Sequence, residues 1–206
     1  MLIRALMLPA GELVTVKPDD SIRTALERIN QKNFLSIPVA EGKRFVGVIS
    51  KERIYAEYFE KGGDKEEYLD NTKVKDLLRS DIPVLEPIDE IEKAAYTLNL
   101  SGVPFIAVIN SDGEFEGIIT HKVIFKEFAE VIGIHKGKRL SVIAYDIPGQ
   151  IAKLTEIINR YGGDIISLVV MDPKTKTEVK EIVIRLRTDN YIKIVDAVKN
   201  AGFRVQ

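Results

Sequence analysis

The chain has no cysteine, and only two of its 206 residues, His121 and His135, are histidine. Without cysteine it has no disulfide, no thiol nucleophile and no thiolate metal site. Two histidines leave little for metal ligation or acid–base work. No apolar run approaches the roughly 18 residues of a membrane span. The longest candidates, such as Phe105–Ile109, are strand-sized. The N-terminus MLIRALMLPAGE has too short an apolar run, broken by Arg4, to read as a signal peptide. Neither sign of charge dominates: 30 Lys and Arg face 31 Asp and Glu, a net charge of −1. That balance gives no electrostatic reason to expect nucleic acid or an anionic membrane as partner. The adjacent carboxylates Asp19/Asp20 and Glu66/Glu67 are not spaced to flank a scissile bond. No P-loop is present, and YGGD has the wrong spacing for a glycine phosphate cradle. With no nucleophile–base–orienter set, the chain reads as a non-enzyme, soluble and cytoplasmic.

What is present is a core-forming composition, 45% hydrophobic and 30% charged, and an internal repeat. VTVKPDDSIRTALERIN, from Val14, aligns with PVLEPIDEIEKAAYTLN, from Pro83. Pro18 meets Pro87, Ile22 meets Ile91, Ala25 meets Ala94, and Ile29 meets Leu98 at one constant offset. FLSIPV (Phe34–Val39) meets VPFIAV (Val103–Val108). After one inserted residue, FVGVISKERIYAEYF meets FEGIITHKVIFKEFA, pairing Gly47 with Gly117 and Ser50 with Thr120.

Each copy predicts the same elements. An extended stretch ends at Pro18 or Pro87 and is followed by N-cap residues. Ile22, Ala25, Leu26 and Ile29 then recur at i, i+3, i+4 and i+7, one buried helix face. Two β-branched runs follow, joined by turns at residues 41–43 and 111–113. A second helix buries Ile54 and Tyr58 in one copy, Ile124 and Phe128 in the other. The repeats span residues 1–59 and 74–133, with 60–73 an exposed linker carrying some helix. Neither copy has enough core to stand alone.

The last third changes character. Residues 134–139 form a polar turn, and 140–206 read as β-α-β-β-α-β, the ferredoxin-like split motif. RLSVIAY ends in the turn Asp146–Gly149. Ile151, Leu154, Ile158 and Tyr161 form a helical stripe stopped by Gly162 and Gly163. IISLVVM and VKEIVIRLR flank the hairpin loop MDPKTKTE, and Ile192, Val195 and Val198 mark a second helix ended by Gly202. This segment is net positive and the remainder net negative, a modest asymmetry that reads as ordinary solvated faces.

Residues 1–133, with VTVKPDDSI, VKDLL before the second copy, and the endings GVIS and GIIT, resemble a tandem pair of CBS domains. Residues 140–206, with D-x-P-G after the first strand and GGDIISL opening the second, resemble an ACT domain. The expected class is therefore α+β: tandem CBS repeats (β-α-β-β-α) forming one module, plus a C-terminal ferredoxin-like (βαββαβ) ACT domain. The order CBS–CBS–ACT is similar to the bacterial acetoin-utilisation accessory proteins of the AcuB type.

The first resemblance implies a ligand between the repeats, with adenine against apolar side chains and a Thr/Ser-x-x-Asp motif on phosphate and ribose. Here the motif reads Ser50-Lys51-Glu52-Arg53 and Thr120-His121-Lys122-Val123. The hydroxyls are kept and both aspartates are lost. Arg53 cannot accept from ribose but can pair with phosphate. The implied nucleotide-binding set is Ile37, Pro38, Ser50, Arg53, Ile106, Ala107, Thr120 and His121. Ser50 and Thr120 also suit plain helix caps, and Ile37–Pro38 and Ile106–Ala107 suit plain core strands.

The second resemblance implies an amino acid or related effector held by Asp146, Ile147, Gly149, Gln150 and Asp164, with its carboxylate at a helix N-terminus. DIPG also suits a simple tight turn. No cofactor is required; AMP, ADP, ATP or S-adenosylmethionine is the expected class of regulatory ligand. The expected partners are a small-molecule effector, a second copy in a homodimer and an unidentified protein, with no nucleic acid and no membrane. The alternative is a constitutive scaffold whose ligand sites have decayed.

Overall fold

The computed structural model describes residues 1–174 and 178–206, so part of the expected loop MDPKTKTE lies outside the described residues. Two compact units divide the chain, Met1–Phe125 and Lys126–Gln206.

The first unit begins with β1 (Leu8–Pro9) and α1 (Ile22–Gln31), followed by the hairpin β2 (Ser36–Glu41) and β3 (Arg44–Ser50). Helices α2 (Lys51–Lys61), α3 (Lys65–Asn71) and α4 (Val74–Leu77) come next. The second repeat contributes β4 (Val84–Leu85), α5 (Ile91–Ser101), β5 (Phe105–Ile109), β6 (Phe115–Thr120) and α6 (His121–Ile132). The order thus repeats, as the offset predicts. Helix α1 starts where Ser21 accepts a hydrogen bond from the Thr24 N–H at 3.3 Å, satisfying one orphan donor of the first turn. Ile22, Ala25 and Ile29 of its apolar face are fully buried. Each such isoleucine contributes about 1.5–3 kcal/mol relative to an exposed one. In α5 the equivalent positions Ile91, Ala94 and Leu98 are buried in the same way. Segment 60–73 is more than a tether. Its helix α3 sets Leu69 and Tyr68 into the core of the first repeat, and Arg23 of α1 ties it down through Asp70 and Glu66, both at 2.6 Å.

Each repeat borrows backbone from the segment that leads into the other. β1 pairs antiparallel with β6, Leu8 opposite Ile118 and Pro9 opposite Gly117. Arg79, just past α4, bridges antiparallel to Val48 of β3. The exchange continues upstream. The N–H groups of Ile3 and Arg4 donate to the carbonyls of Asp89 and Pro87, both at 2.9 Å. Those of Val74 and Lys75 donate to Asp20 and Pro18, at 3.0 and 2.8 Å. Ile3 and Val74 are both fully buried as a result.

This crossing explains Gly47 and Gly117. A Cβ at Gly47 would lie 2.4 Å from the Arg79 carbonyl oxygen, and one at Gly117 would lie 2.3 Å from that of Leu8. Only the residue without a side chain lets the backbones approach so closely.

The second unit contains β7 (Lys138–Tyr145), α7 (Gln150–Arg160), β8 (Asp164–Met171), β9 (Val179–Arg187), α8 (Tyr191–Asn200) and β10 (Arg204–Val205). Its sheet runs β10-β7-β9-β8, the ferredoxin-like arrangement that the β-α-β-β-α-β order predicts. The core joins Leu140 and Val142 of β7, Ile182, Ile184 and Leu186 of β9, Leu154 and Ile158 of α7, and Ile194 and Val198 of α8.

Two helical stripes differ from the expected ones. Ile151 and Tyr161, at the ends of the α7 stripe, are exposed. In α8 the buried positions are Ile194 and Val198, with Tyr191 and Val195 partly covered, while Ile192 is 75% exposed. The sequence YIKIVDAV offers two isoleucines, and only Ile194 completes the i, i+3, i+4, i+7 stripe with Tyr191, Val195 and Val198.

Candidate functional site

A cleft of about 720 Å³ opens in the first unit, with both repeats lining it. The first repeat supplies Leu35, Ser36, Val48, Ser50–Arg53 and Ala56. The second supplies Gly102, Val103, Pro104 and His121, and the crossing segment supplies Arg79. The repeat offset pairs Leu35 with Pro104 and Lys51 with His121, so equivalent positions of the two copies meet here.

Local structure fixes the polar wall. Strand β3 ends at Ser50, which accepts a hydrogen bond from the Arg53 N–H at 3.2 Å and so caps α2. The Lys51 N–H donates to the Leu35 carbonyl at 2.9 Å. Among the described residues, the Glu52 N–H is left without a protein acceptor in this first turn, and the helix dipole adds partial positive charge there. Lys51 and Arg53 have no carboxylate partner within 4.0 Å among the described residues. Arg79 is paired: Nε and Nη2 donate to the two carboxylate oxygens of Asp81 at 2.7 and 3.1 Å. That fork holds the Asp81 carboxyl below the usual carboxylate range and raises the guanidinium. The cleft therefore combines an apolar wall (Leu35, Val48, Ala56, Val103, Pro104) with a cationic one (Lys51, Arg53, Arg79), and His121 beside them. Leu35 is 79% exposed, a large apolar side chain open to the cleft.

Three of the expected nucleotide-binding residues, Ser50, Arg53 and His121, line this cleft. Thr120 caps α6 instead, accepting from the Val123 N–H at 3.3 Å. Ile37, Pro38, Ile106 and Ala107 are buried in β2 and β5 and do not line it. Their strands are paired on both edges. The Val16 N–H donates to the Pro38 carbonyl on the edge of β2 away from β3, and the Ala107 N–H to the Pro83 carbonyl beside β4. Beside Val48 and Ala56, the apolar lining comes from Leu35, Val103 and Pro104, the residues just before those strands. Arg79 and Lys51 line the cleft as well and are not in the expected set. Lys51 sits inside the quoted motif and was legible there; Arg79 belongs to a crossing that no local pattern announces.

In the second unit Asp146 is exposed and pairs with Lys180 at 3.2 Å. Ile147 is exposed as well. Gly149 adopts φ +88° at the N-terminus of α7, with open space where a Cβ would stand. Gln150 lines a depression of about 750 Å³ with Tyr145, Phe203 and Arg204. Asp164 pairs with Arg187 at 3.2 Å and borders a separate depression with Glu156 and Asn159. Within one chain the Asp146–Gln150 turn and Asp164 thus belong to different surfaces. Among the described residues, no group of three or more acidic or histidine side chains is placed to hold a metal ion. No helix there is long and apolar enough to cross a membrane.

Comparison with known proteins agrees with this architecture. Cyclic di-AMP receptor B of Bacillus subtilis is 30% identical over 122 residues, 59% of this chain and 82% of that protein. Inosine-5′-monophosphate dehydrogenase of Korarchaeum cryptofilum is 24% identical over 114 residues, 55% of this chain; the chain spans only 22% of that enzyme's length. CbpB of Listeria monocytogenes, solved in complex with c-di-AMP, has a TM-score of 0.57 at 26% identity, covering 65% of this chain and 98% of its own. A CBS domain pair/ACT domain protein of Thermotoga maritima shares the fold, with a TM-score of 0.51 at 19% identity, over 63% of this chain and 98% of its own. The family model for the CBS domain matches residues 3–60 and 74–130, more than half of the chain, and the protein belongs to the CBS domain family.

Proposed function

We propose that the protein is a non-enzymatic regulatory sensor that binds an adenosine nucleotide in the inter-repeat cleft. The observation that carries this reading is the pairing of an apolar wall with Lys51, Arg53 and Arg79 around the capped N-terminus of α2. A purine ring takes the apolar side between Leu35 and Pro104, and phosphate takes the cationic side. The relatives named for cyclic di-AMP and the complex of CbpB with c-di-AMP support the same ligand class. Replacement of the motif aspartate by Arg53 moves selectivity towards the phosphate and away from the ribose.

Ligand binding shifts the population of conformations that the chain presents to a partner protein, the chain acting as a homodimer. The second unit reads as an ACT domain that adds an amino acid or related effector through Asp146, Ile147, Gly149, Gln150 and Asp164. These come from separate surfaces of one chain, so such a site needs two copies. The CBS–CBS–ACT order, which resembles the AcuB type, supports a role linked to acetoin utilisation.

A thermal-shift screen against AMP, ADP, ATP, c-di-AMP, S-adenosylmethionine and the amino acids tests this. A ligand at a hundred times its Kd stabilises by about 2.7 kcal/mol, a shift of several degrees. A nucleotide shift that Arg53→Ala abolishes supports the cleft. A shift with amino acids alone transfers sensing to the second unit. No shift with any of them, alongside a stable protein complex, favours the scaffold reading and refutes this one.

A further inference from the structure

Arg79 reaches the cleft from a fixed place. Its N–H donates to the Val48 carbonyl at 2.8 Å and its carbonyl accepts from the Val48 N–H at 2.9 Å. Only the guanidinium can turn, and its fork is taken up by Asp81. Asp81 does not line the cleft, and its side chain is 74% exposed. An exposed ion pair two residues apart adds little to stability, so the pair is poorly explained as a structural brace. The positive charge of Arg53 also acts on Asp81. The chain thus presents its own carboxylate to the cationic wall.

A carboxylate and a phosphate address a guanidinium in the same way, through two parallel N–H···O bonds. One fork cannot serve both. Resting on the nucleotide reading, we propose that Asp81 is an intramolecular competitor for Arg79, and that it sets the affinity of the cleft for the phosphate of its ligand. Phosphate entry turns Arg79 away from Asp81, and the freed carboxylate takes up water. Competition acts on the phosphate alone and leaves the nucleoside contacts untouched.

The test compares AMP with adenosine by calorimetric titration of the full chain and its Asp81→Asn variant. AMP binding tightens roughly two- to fivefold in the variant, the range of an exposed charged contact, while adenosine affinity stays unchanged. Asp81→Glu, which restores the carboxylate, returns AMP affinity towards the starting value. Equal or weaker AMP binding by Asp81→Asn, or equal tightening for adenosine, overturns the proposal. A second readout needs no nucleoside: the Arg79 Nε–H resonance, assigned through Arg79→Lys, followed during titration with inorganic phosphate. It moves at lower phosphate concentration in Asp81→Asn. If AMP fails to bind either protein but this difference is seen, the nucleotide reading fails and the competition stands. If AMP binds but the difference is absent, the competition fails alone.

Discussion

Gly47→Ala is the sharpest test of the crossed segments. The new Cβ would stand 2.4 Å from the Arg79 carbonyl oxygen and 3.1 Å from its carbon, both backbone atoms, whereas ordinary contact begins at 3.4 Å. No side-chain rotation relieves such a clash. The crossing strand must therefore retreat by roughly 1 Å, an overpacking cost of about 1–3 kcal/mol. The retreat also stretches the two backbone bonds between Val48 and Arg79, worth about 1 kcal/mol each when lost. Against this, alanine recovers about 0.5–1 kcal/mol of backbone entropy relative to glycine. The net expectation is a loss of about 2 kcal/mol, or about 4–8 °C in Tm for a chain of this size. Scanning calorimetry is the assay, because the two units can melt in separate transitions. Gly117→Ala, with its Cβ 2.3 Å from the Leu8 carbonyl oxygen, should lose a similar amount. It touches no residue of the cleft wall, so nucleotide affinity should fall with Gly47→Ala and hold with Gly117→Ala. A Gly47→Ala protein that melts within about a degree of the parent would refute the crossing geometry.

Three further outcomes follow from named contacts. Ser50→Ala removes the cap of α2 and should cost about 1 kcal/mol in urea unfolding; a change near zero would mean that another group satisfies the Arg53 N–H. Arg23 holds the Asp70 carboxyl below its ordinary value of 3.8. A lowered folded value means stabilisation that is complete above 3.8 and lost as pH falls through the lowered value. The stability gap between the parent and Asp70→Asn should therefore close in acid, and a gap independent of pH would exclude the ion pair as its source. In α8, Ile194→Ala should cost about 2–5 kcal/mol and Ile192→Ala less than about 0.5 kcal/mol; the reverse order in denaturant titrations would show that the helix is phased the other way.

How much of this was legible in the sequence depended on whether a feature leaves a periodic trace. Ile22, Ala25 and Ile29, with their counterparts in α5, repeat at helical spacing against a constant offset, and two copies of a weak signal reinforce one another. The caps at Ser50 and Thr120 were legible because a hydroxyl three residues before a free N–H has one obvious partner. Strand β1 has two residues and the Arg79 crossing is a single bridge, too short for any alternation to register. Their only trace was Gly47 paired with Gly117, a match whose cause lies in the backbone of a distant segment. The cleft was half legible for the same reason. Ser50 and Arg53 belong to a local motif, while Arg79 arrives by topology. The apolar pairs Ile37–Pro38 and Ile106–Ala107 lie further along their strands than the lining residues Leu35 and Pro104, and a run of apolar residues does not reveal where the sheet edge ends and the cleft begins.

The reciprocal loan of leading segments bears on how such a module can arise. A chain carrying one repeat and its leader could dock that leader on a second, identical chain and receive the other's leader in return, building this architecture from two molecules. Joining them through the stretch that ends in α3 converts an encounter between molecules into one within a single chain, where the effective concentration reaches the millimolar range for a short connection. Once the pair is fused, each copy can change without its twin. The difference between Arg53 and Val123 at equivalent positions of the two copies is the kind of divergence that a symmetric pair of identical chains could not express.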